Sequence, residues 1–264
     1  DVMNSAVWTP VVALFLLRAV RGERPAASAA LGGLALGAAW LCGHHEIPML
    51  VSWAALASWL FYAARRGRRV LLAGAVFLLA AGLTSAVQTW PTREFARVSH
   101  RWIGQGYGPI GWKDAVPYGV HTTYSLPARG LLEMVLPRPT RYADASPFLG
   151  VAAVSLATMG LAMKWKDTGA RWLAAVAGGA AVYSLGALSP LHGALYAVVP
   201  MLQAARVPVR AFHLVNFAVA VLAAYGIDSL LEEPKGRAGR RLSAAAAVYG
   251  VLILGAQAVA AATG

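Results

Sequence analysis

The stretch that decides the fold is residues 16–69, "LLRAVRGERPAASAALGGLALGAAWLCGHHEIPMLVSWAALASWLFYAARRGRR". It holds two long apolar runs, and each has an arginine cluster at one end and a loop without arginine or lysine at the other. A helix rises about 1.5 Å per residue, so a run of 17 to 25 residues crosses a hydrocarbon core of about 30 Å. The stretch therefore predicts a pair of membrane-spanning helices.

The same alternation of charge continues along the chain. Fourteen of the 23 lysine and arginine residues lie in four short loops, at 18–24, 65–69, 164–171 and 235–241. Because cytoplasmic loops of membrane proteins are enriched in these residues, we expect the four loops to face the cytoplasm. The predicted spans are 3–20, 26–43, 47–64, 70–88, 147–163, 172–188, 211–231 and 242–261. The predicted fold is an all-α, polytopic transmembrane helix bundle with about eight crossings.

Composition agrees with a membrane protein, since 58% of the residues are hydrophobic and 13% are charged. The formal net charge of +12 is concentrated beside apolar runs rather than along one face. This distribution favours the lipid bilayer as partner, with anionic headgroups near the basic loops, and argues against nucleic acid. The chain starts with Asp1 almost inside an apolar run, so we expect it to be a fragment that lacks its true N-terminus.

Two segments on the predicted outer side are unusual. The long extracytoplasmic loop 89–146 contains an amphipathic run, Thr92 to Trp102, in which Arg93, Arg97 and Arg101 share one helical stripe. That spacing predicts a helix lying on the outer membrane surface. Residues 189–210 are apolar but interrupted by Pro200, which predicts a re-entrant or interfacial segment.

The run "QAARVPVRAFHLVN", residues 203–216, carries the strongest polar pattern. Val207 precedes a proline and is expected to be extended, and Pro208 suits the first turn of a helix. Arg206 and Arg210 then flank a helix N-terminus, where free backbone N–H groups, the helix dipole and two guanidinium groups favour a phosphate. The run therefore predicts a phosphate or lipid-carrier site.

His213 and Asn216 continue the stripe of Arg210 at spacings of three and extend the predicted site into the helix. The alternative is that Arg206 and Arg210 simply reach the headgroups of the outer leaflet. Two arginines in a short outer loop run against the positive-inside bias, however, and this exception favours a function.

Two carboxylates on the outer side are candidate catalytic groups. Glu46 follows His44 and His45 in a turn, where it is placed to hold a substrate hydroxyl or a cation. The three adjacent side chains diverge, so they do not support a metal site, and no cofactor motif is present. Glu94 is the second candidate, as a general base, and an ion pair with Arg93 or Arg97 is its alternative role.

Several segments together resemble a known group of proteins. They are "VWTPVVALFLLRAVRG" (7–22), "GHHEIP" (43–48), "SAVQTWPTREFARVSHR" (85–101), "YADASPFLGVAAVSL" (142–156) and "LGALSPLHGALYAVVPMLQAARVPVRAFHLVNFAVAVLAAYGIDSLL" (185–231). In this order and spacing the chain resembles the bacterial YfhO-type integral membrane proteins, from Val7 to Leu231. The resemblance implies a GT-C glycosyltransferase-like enzyme of the bacterial cytoplasmic membrane. Such an enzyme moves a sugar from a polyprenyl-phosphate carrier to a cell-envelope polymer on the outer side.

The resemblance also implies roles for individual residues. The GT-C catalytic carboxylate is expected in the first outer loop, upstream of Asp1. Arg206 and Arg210 would pair with the phosphate of the carrier, oriented by His213 and Asn216. The acceptor-facing residues would be His100, Arg101 and Arg97, in the loop that also holds Glu94.

Two other classes of function remain open. A transporter or lipid flippase would use the broken element at Pro200 and Pro208 as a gate. Ionisable residues are nearly absent from the middles of the predicted spans, which argues against an ion-coupled carrier. A scaffold for an envelope-synthesis complex is the other possibility, and it has no need of the arginine pair.

Overall fold

The computed structural model describes residues 2–100, 102–104, 107–111, 114–136, 146–199, 202–232 and 236–263. For residues 102–104, 107–109, 204, 256, 257 and 259–263 it describes the backbone alone. The described chain is helical except for one small hairpin, in which β1 (Trp102–Gly104) pairs antiparallel with β2 (Tyr107–Ile110). The helical fold class is therefore confirmed.

The chain forms two compact units. Unit 1 comprises Asp1–Thr123 and Leu195–Arg206, and unit 2 comprises Tyr124–Ala194 and Val207–Gly264. The helices up to Thr123 are α1 (Val2–Ala6), α2 (Thr9–Arg21), α3 (Pro25–Leu41), α4 (Glu46–Arg66), α5 (Arg68–Val98) and α6 (Tyr118–His121). Those that follow are α7 (Val151–Met163), α8 (Thr168–Ser184), α9 (Pro190–Val198), α10 (Phe212–Glu232) and α11 (Arg237–Thr263). Short 3₁₀ turns cover Ala128–Met134, Gly186–Leu188, Leu202–Ala204 and Pro208–Ala211.

Four helical stretches in the described part of the chain are long and apolar enough to cross a membrane. They are Val2–Arg21, Glu46–Arg66, Arg68–Val98 and Pro208–Glu232. Two shorter apolar helices, Pro25–Leu41 and Val151–Met163, lie over further predicted spans. The chain thus has the helices of a membrane protein, while the number of eight crossings stays a prediction.

The amphipathic run after residue 92 is not a separate helix. α5 continues without a break through Pro91 to Val98 and has 31 residues, or about 46 Å at 1.5 Å per residue. Pro91 removes one N–H donor, but no glycine follows Gly82 within the helix to end it. The part of α5 after Thr89 therefore extends the fourth predicted span instead of folding away from it.

Glycines bring the helices of unit 1 together. On α3, Gly33 and Gly37 lie one turn apart and face α5. A Cβ at Gly33 would sit 2.8 Å from the Ala80 Cβ, and one at Gly37 would sit 2.5 Å from the Thr84 Cβ. Small residues at this spacing let helix backbones approach closely, which is how membrane helices associate when lipid removes the hydrophobic drive.

In unit 2 the central pair is α7 and α10, which run parallel. The two helices cross at Gly160 and Gly226, where a Cβ on Gly160 would lie 2.5 Å from the Gly226 backbone nitrogen. Beyond the crossing, the Lys164 Nζ lies 3.4 Å from the Glu232 Oε2 and joins the C-terminal ends of both helices. Their N-terminal ends therefore both point toward the opposite end of unit 2.

Candidate functional site

Glu46 is buried at the first turn of α4 and is bound to a distant part of the chain. Its side chain is only 4% exposed, and its Oε1 accepts a hydrogen bond of 2.8 Å from the backbone N–H of Arg206. A buried carboxylate is costly unless it is hydrogen-bonded. The contact therefore fixes both the carboxylate and the backbone of residue 206, whose side chain is exposed.

His121, at the end of α6, is hydrogen-bonded to Ala205, the residue before Arg206. Its Nδ1 lies 2.6 Å from the carbonyl oxygen of Ala205, so Nδ1 carries the proton and donates it. The imidazole is 1% exposed, and its ring centroid lies 5.0 Å from that of Tyr196. Burial lowers the pKa of His121, while the Ala205 carbonyl and the charge of Glu46 raise the pKa and partly offset that effect.

Three further hydrogen bonds complete this cluster in unit 1. The Val116 N–H donates to the Gln203 carbonyl at 3.1 Å, and the Gln203 Nε2 donates to the Tyr196 carbonyl at 3.1 Å. The Tyr196 hydroxyl donates to the Val116 carbonyl. We call the side chains of Glu46, His121, Tyr196 and Gln203 the polar clamp. Together they hold the irregular segment that precedes α10.

The entrance to α10 differs from the expected one at Val207. The residue was predicted to be extended because it precedes a proline, but its φ of 63° and ψ of 65° place it in the left-handed region. This conformation is strained for a β-branched residue and costs of order 1–3 kcal/mol. Pro208 does start the helical turn as predicted, and the Arg210 N–H bonds to the Val207 carbonyl at 3.0 Å. The tight turn that Arg210 closes thus replaces the expected extended entry.

We call Arg210, His213 and Asn216 the polar stripe, and two of its side chains have atoms that lack a hydrogen-bond partner among the described residues. The His213 Nδ1 lies 2.8 Å from the Arg210 carbonyl oxygen, so this nitrogen is the donor and Nε2 is left as an acceptor. Within the described part of the chain, His213 Nε2 and Asn216 Oδ1 are buried without a hydrogen-bond partner. Buried polar atoms are nearly always paired, so we expect a water molecule or a ligand to bond to these two atoms.

Glu133, which the sequence patterns did not single out, also has a buried oxygen without a hydrogen-bond partner in the part of the chain that the structure describes. Glu133 lies in the 3₁₀ turn Ala128–Met134, where three residues per turn place it on the face of Gly130. Both residues are buried, Glu133 with 5% exposure, whereas Leu131 and Leu132 point outward. The Glu133 Oε2 has no hydrogen-bond partner among the described residues.

Glu133 and the polar stripe lie at the same end of unit 2. The N–H groups of Leu149 and Gly150, just before α7, both donate to the Met134 carbonyl, at 2.9 and 3.0 Å. The N-terminal ends of α7 and α10 point toward the same end of unit 2, so the Glu133 turn, bonded to the start of α7, lies toward the end where α10 begins. The Val209 N–H also donates to the Tyr124 carbonyl at 3.3 Å, which ties the segment leading to this turn to the entrance of α10.

The other predicted site residues are distributed as follows. Arg206 belongs to unit 1 and Arg210 to unit 2. Glu94, Arg97 and His100 are exposed. No ion pair joins Glu94 to Arg93 or Arg97, so the pairing expected there does not form between these described residues. Arg101 lies outside the described residues.

The histidine turn before α4 has a local role. The His44 and His45 rings are stacked with centroids 5.9 Å apart, and the His44 Nδ1 accepts the Ile47 N–H at 3.5 Å. Across the part of the chain that the structure describes, no group of three histidine, cysteine, aspartate or glutamate side chains is placed to hold a metal ion.

His121 and Glu133 were missed by the sequence patterns. His121 had no motif around it, and only its tertiary contacts distinguish it from the other histidines. Glu133 did leave a signal, because it is the single charge in the apolar run "LLEMVL", residues 131–136. A lone carboxylate in an apolar segment is unusual, because glutamate is rarely buried unless it is paired.

Comparisons with protein-family models, with curated proteins and with solved structures found no match to this chain. The resemblance to the YfhO-type proteins therefore rests on the segments quoted above and stays a prediction.

Proposed function

We propose that this chain is part of a membrane glycosyltransferase-like protein that transfers a sugar from a polyprenyl-phosphate carrier to a cell-envelope polymer on the outer side of the cytoplasmic membrane. The observation that carries the proposal is the entrance of α10. There a guanidinium group, a helix start and two unsatisfied buried atoms follow one another on a single stripe, at Arg210, His213 and Asn216.

Each part of this stripe suits one part of a lipid-linked sugar phosphate. The Arg210 guanidinium is permanently charged and matches a phosphate, whose charge increases when the bond to the sugar breaks. The acceptor atoms on His213 and Asn216 suit hydroxyl groups, and the apolar sequence of α10 suits the prenyl chain. Arg206, four residues before Arg210, remains a predicted second cation for the phosphate.

The proposal is tested with the protein in lipid nanodiscs. Binding of undecaprenyl phosphate is measured for the native chain, for Arg210→Gln and for Arg237→Gln, which removes the same charge at the other end of unit 2. We expect Arg210→Gln to weaken binding about 10- to 100-fold, as for a charge-assisted hydrogen bond, and Arg237→Gln to leave it unchanged. Equal affinities for all three proteins would exclude a phosphate site at this entrance.

A transporter or flippase also binds a phosphate at a helix start, and a second measurement separates it from a transferase. The protein, including any upstream region, is supplied with undecaprenyl phosphate carrying a labelled sugar. A transferase releases undecaprenyl phosphate and moves the label to an acceptor, whereas a transporter moves the intact lipid across the bilayer. A scaffold does neither, and Arg210→Gln would leave its binding partners in place.

A further inference from the structure

We infer that Glu133, together with His213 and Asn216, forms a hydroxyl-recognition face that binds the sugar of the lipid-linked substrate. The inference rests on the proposed function and adds a substrate-recognition residue to it. Its starting point is chemical: Glu133 Oε2, His213 Nε2 and Asn216 Oδ1 are all hydrogen-bond acceptors, and all are buried without a partner among the described residues.

Acceptors of this kind exclude some ligands and favour others. A phosphate carries only acceptor oxygens at its ionised positions, so these atoms do not suit it, and the carboxylate repels it. A sugar presents several hydroxyl donors on a small rigid ring, and carboxylate and amide oxygens accept such donors well. The phosphate is left to Arg210, and the hydroxyls are left to the three acceptors.

The fold places the three acceptors toward the same end of unit 2. α7 and α10 run parallel, as the contacts at Gly160, Gly226, Lys164 and Glu232 show. The 3₁₀ turn that carries Glu133 is bound through the Met134 carbonyl to the start of α7. Its buried face therefore lies at the end of unit 2 where the stripe of α10 begins.

The burial of Glu133 is maintained by local geometry rather than by chance packing. In the 3₁₀ turn, the residue three positions earlier on the same face is Gly130, which has no side chain to separate the backbone from its neighbours. Leu131 and Leu132, which an apolar core would favour, are 37% and 44% exposed instead. The turn thus directs the Glu133 carboxylate inward, while Arg129, Leu131 and Leu132 are exposed.

The test compares a carrier with and without its sugar, in nanodiscs. The affinities of undecaprenyl phosphate and of its glucose, galactose, mannose and N-acetylglucosamine esters are measured for the native chain, Glu133→Ala and Arg210→Gln. We expect at least one ester to bind the native chain more tightly than the bare carrier. Glu133→Ala should remove that preference, an effect of about 10- to 100-fold for a lost hydrogen bond to a charged group, and leave the bare carrier unaffected.

Two variants keep the result interpretable. Glu133→Gln retains one acceptor oxygen and should recover part of the preference for the ester. Glu133→Met fills a similar volume without an acceptor, so it should fold but show no preference. If Glu133→Ala and Glu133→Met weaken the bare carrier and the esters equally, or if no ester is preferred by the native chain, the hydroxyl-recognition face is wrong. Unchanged binding in Arg210→Gln would instead reject the proposed phosphate site, so the two failures are distinct.

Discussion

Two groups of buried polar side chains, one in each unit, differ in their hydrogen bonding. In unit 1 the polar clamp is closed: the Glu46 carboxylate, the His121 imidazole and the side chains of Tyr196 and Gln203 are all hydrogen-bonded to backbone groups. In unit 2 the side chains of Glu133, His213 and Asn216 each keep a buried acceptor without a partner in the described chain. Satisfied groups stabilise a fold, whereas unsatisfied ones reduce stability and are retained where a ligand completes them.

This difference separates two residues that the sequence presents alike. Glu46 is a candidate for catalysis or for holding a substrate hydroxyl, and its Oε1 accepts a hydrogen bond from the Arg206 N–H. Glu133 was not a candidate, and it has an unsatisfied oxygen. The sequence around a carboxylate therefore does not reveal its hydrogen-bonding state, which depends on the fold.

The largest effect is expected from opening the clamp with Glu46→Ala. The change leaves the Arg206 N–H without its acceptor and should lower the free energy of unfolding of unit 1 by about 1–3 kcal/mol. Glu46→Gln keeps an acceptor oxygen and should cost clearly less. Thermal unfolding in detergent measures both, with the exposed Glu94→Ala as a control. If Glu46→Ala is as stable as Glu94→Ala, the clamp does not hold the segment.

A smaller effect of opposite sign is expected from Asn216→Leu in unit 2. Removing the unsatisfied buried Oδ1 of Asn216 while keeping the volume of the side chain should raise the free energy of unfolding by about 1 kcal/mol and weaken binding of the lipid-linked sugar. The matched control is Ser184→Ala, which removes a buried hydroxyl that donates to the Ala180 carbonyl at 2.7 Å and should destabilise the protein. Destabilisation by both changes would mean that Asn216 has a structural partner.

The smallest effect is a pH dependence confined to the clamp. Burial lowers the pKa of His121 in the folded chain below its unfolded value of about 6.5. The unfolded chain then binds more protons, so the stability contributed by the neutral imidazole is complete above about pH 6.5 and is lost as pH falls through the folded pKa. The slope for one group is at most about 1.4 kcal/mol per pH unit.

His121→Gln measures this contribution, because glutamine retains an N–H donor for the Ala205 carbonyl but does not titrate. The stability of the native chain should fall between pH 7.5 and 5.5, and that of His121→Gln should fall less. Parallel pH profiles for the two proteins would show that His121 is not the group that titrates.

Much of the fold was predictable because it depends on local and repetitive features. Apolar runs of membrane length specify helices, since backbone groups in lipid must be bonded within the segment, and the protein has helical structure over each predicted span. Pro208 at the start of a turn was also predictable, because its φ is fixed by its ring. The backbone conformation of Val207 was not predictable. It is left-handed because of the turn that Arg210 closes, whereas a residue before proline prefers an extended conformation.

The sequence by itself determined that this chain is helical and has the apolar segments of a membrane protein, and it located the polar stripe of Arg210, His213 and Asn216. Those properties follow from residue type, period and length, which are local. Only the tertiary structure decided that Glu46 binds the N–H of a residue far along the chain, and that Glu133 is buried with an unsatisfied oxygen. Hydrogen bonding between distant segments depends on how helices cross, and the glycine contacts that set those crossings act through space rather than along the sequence.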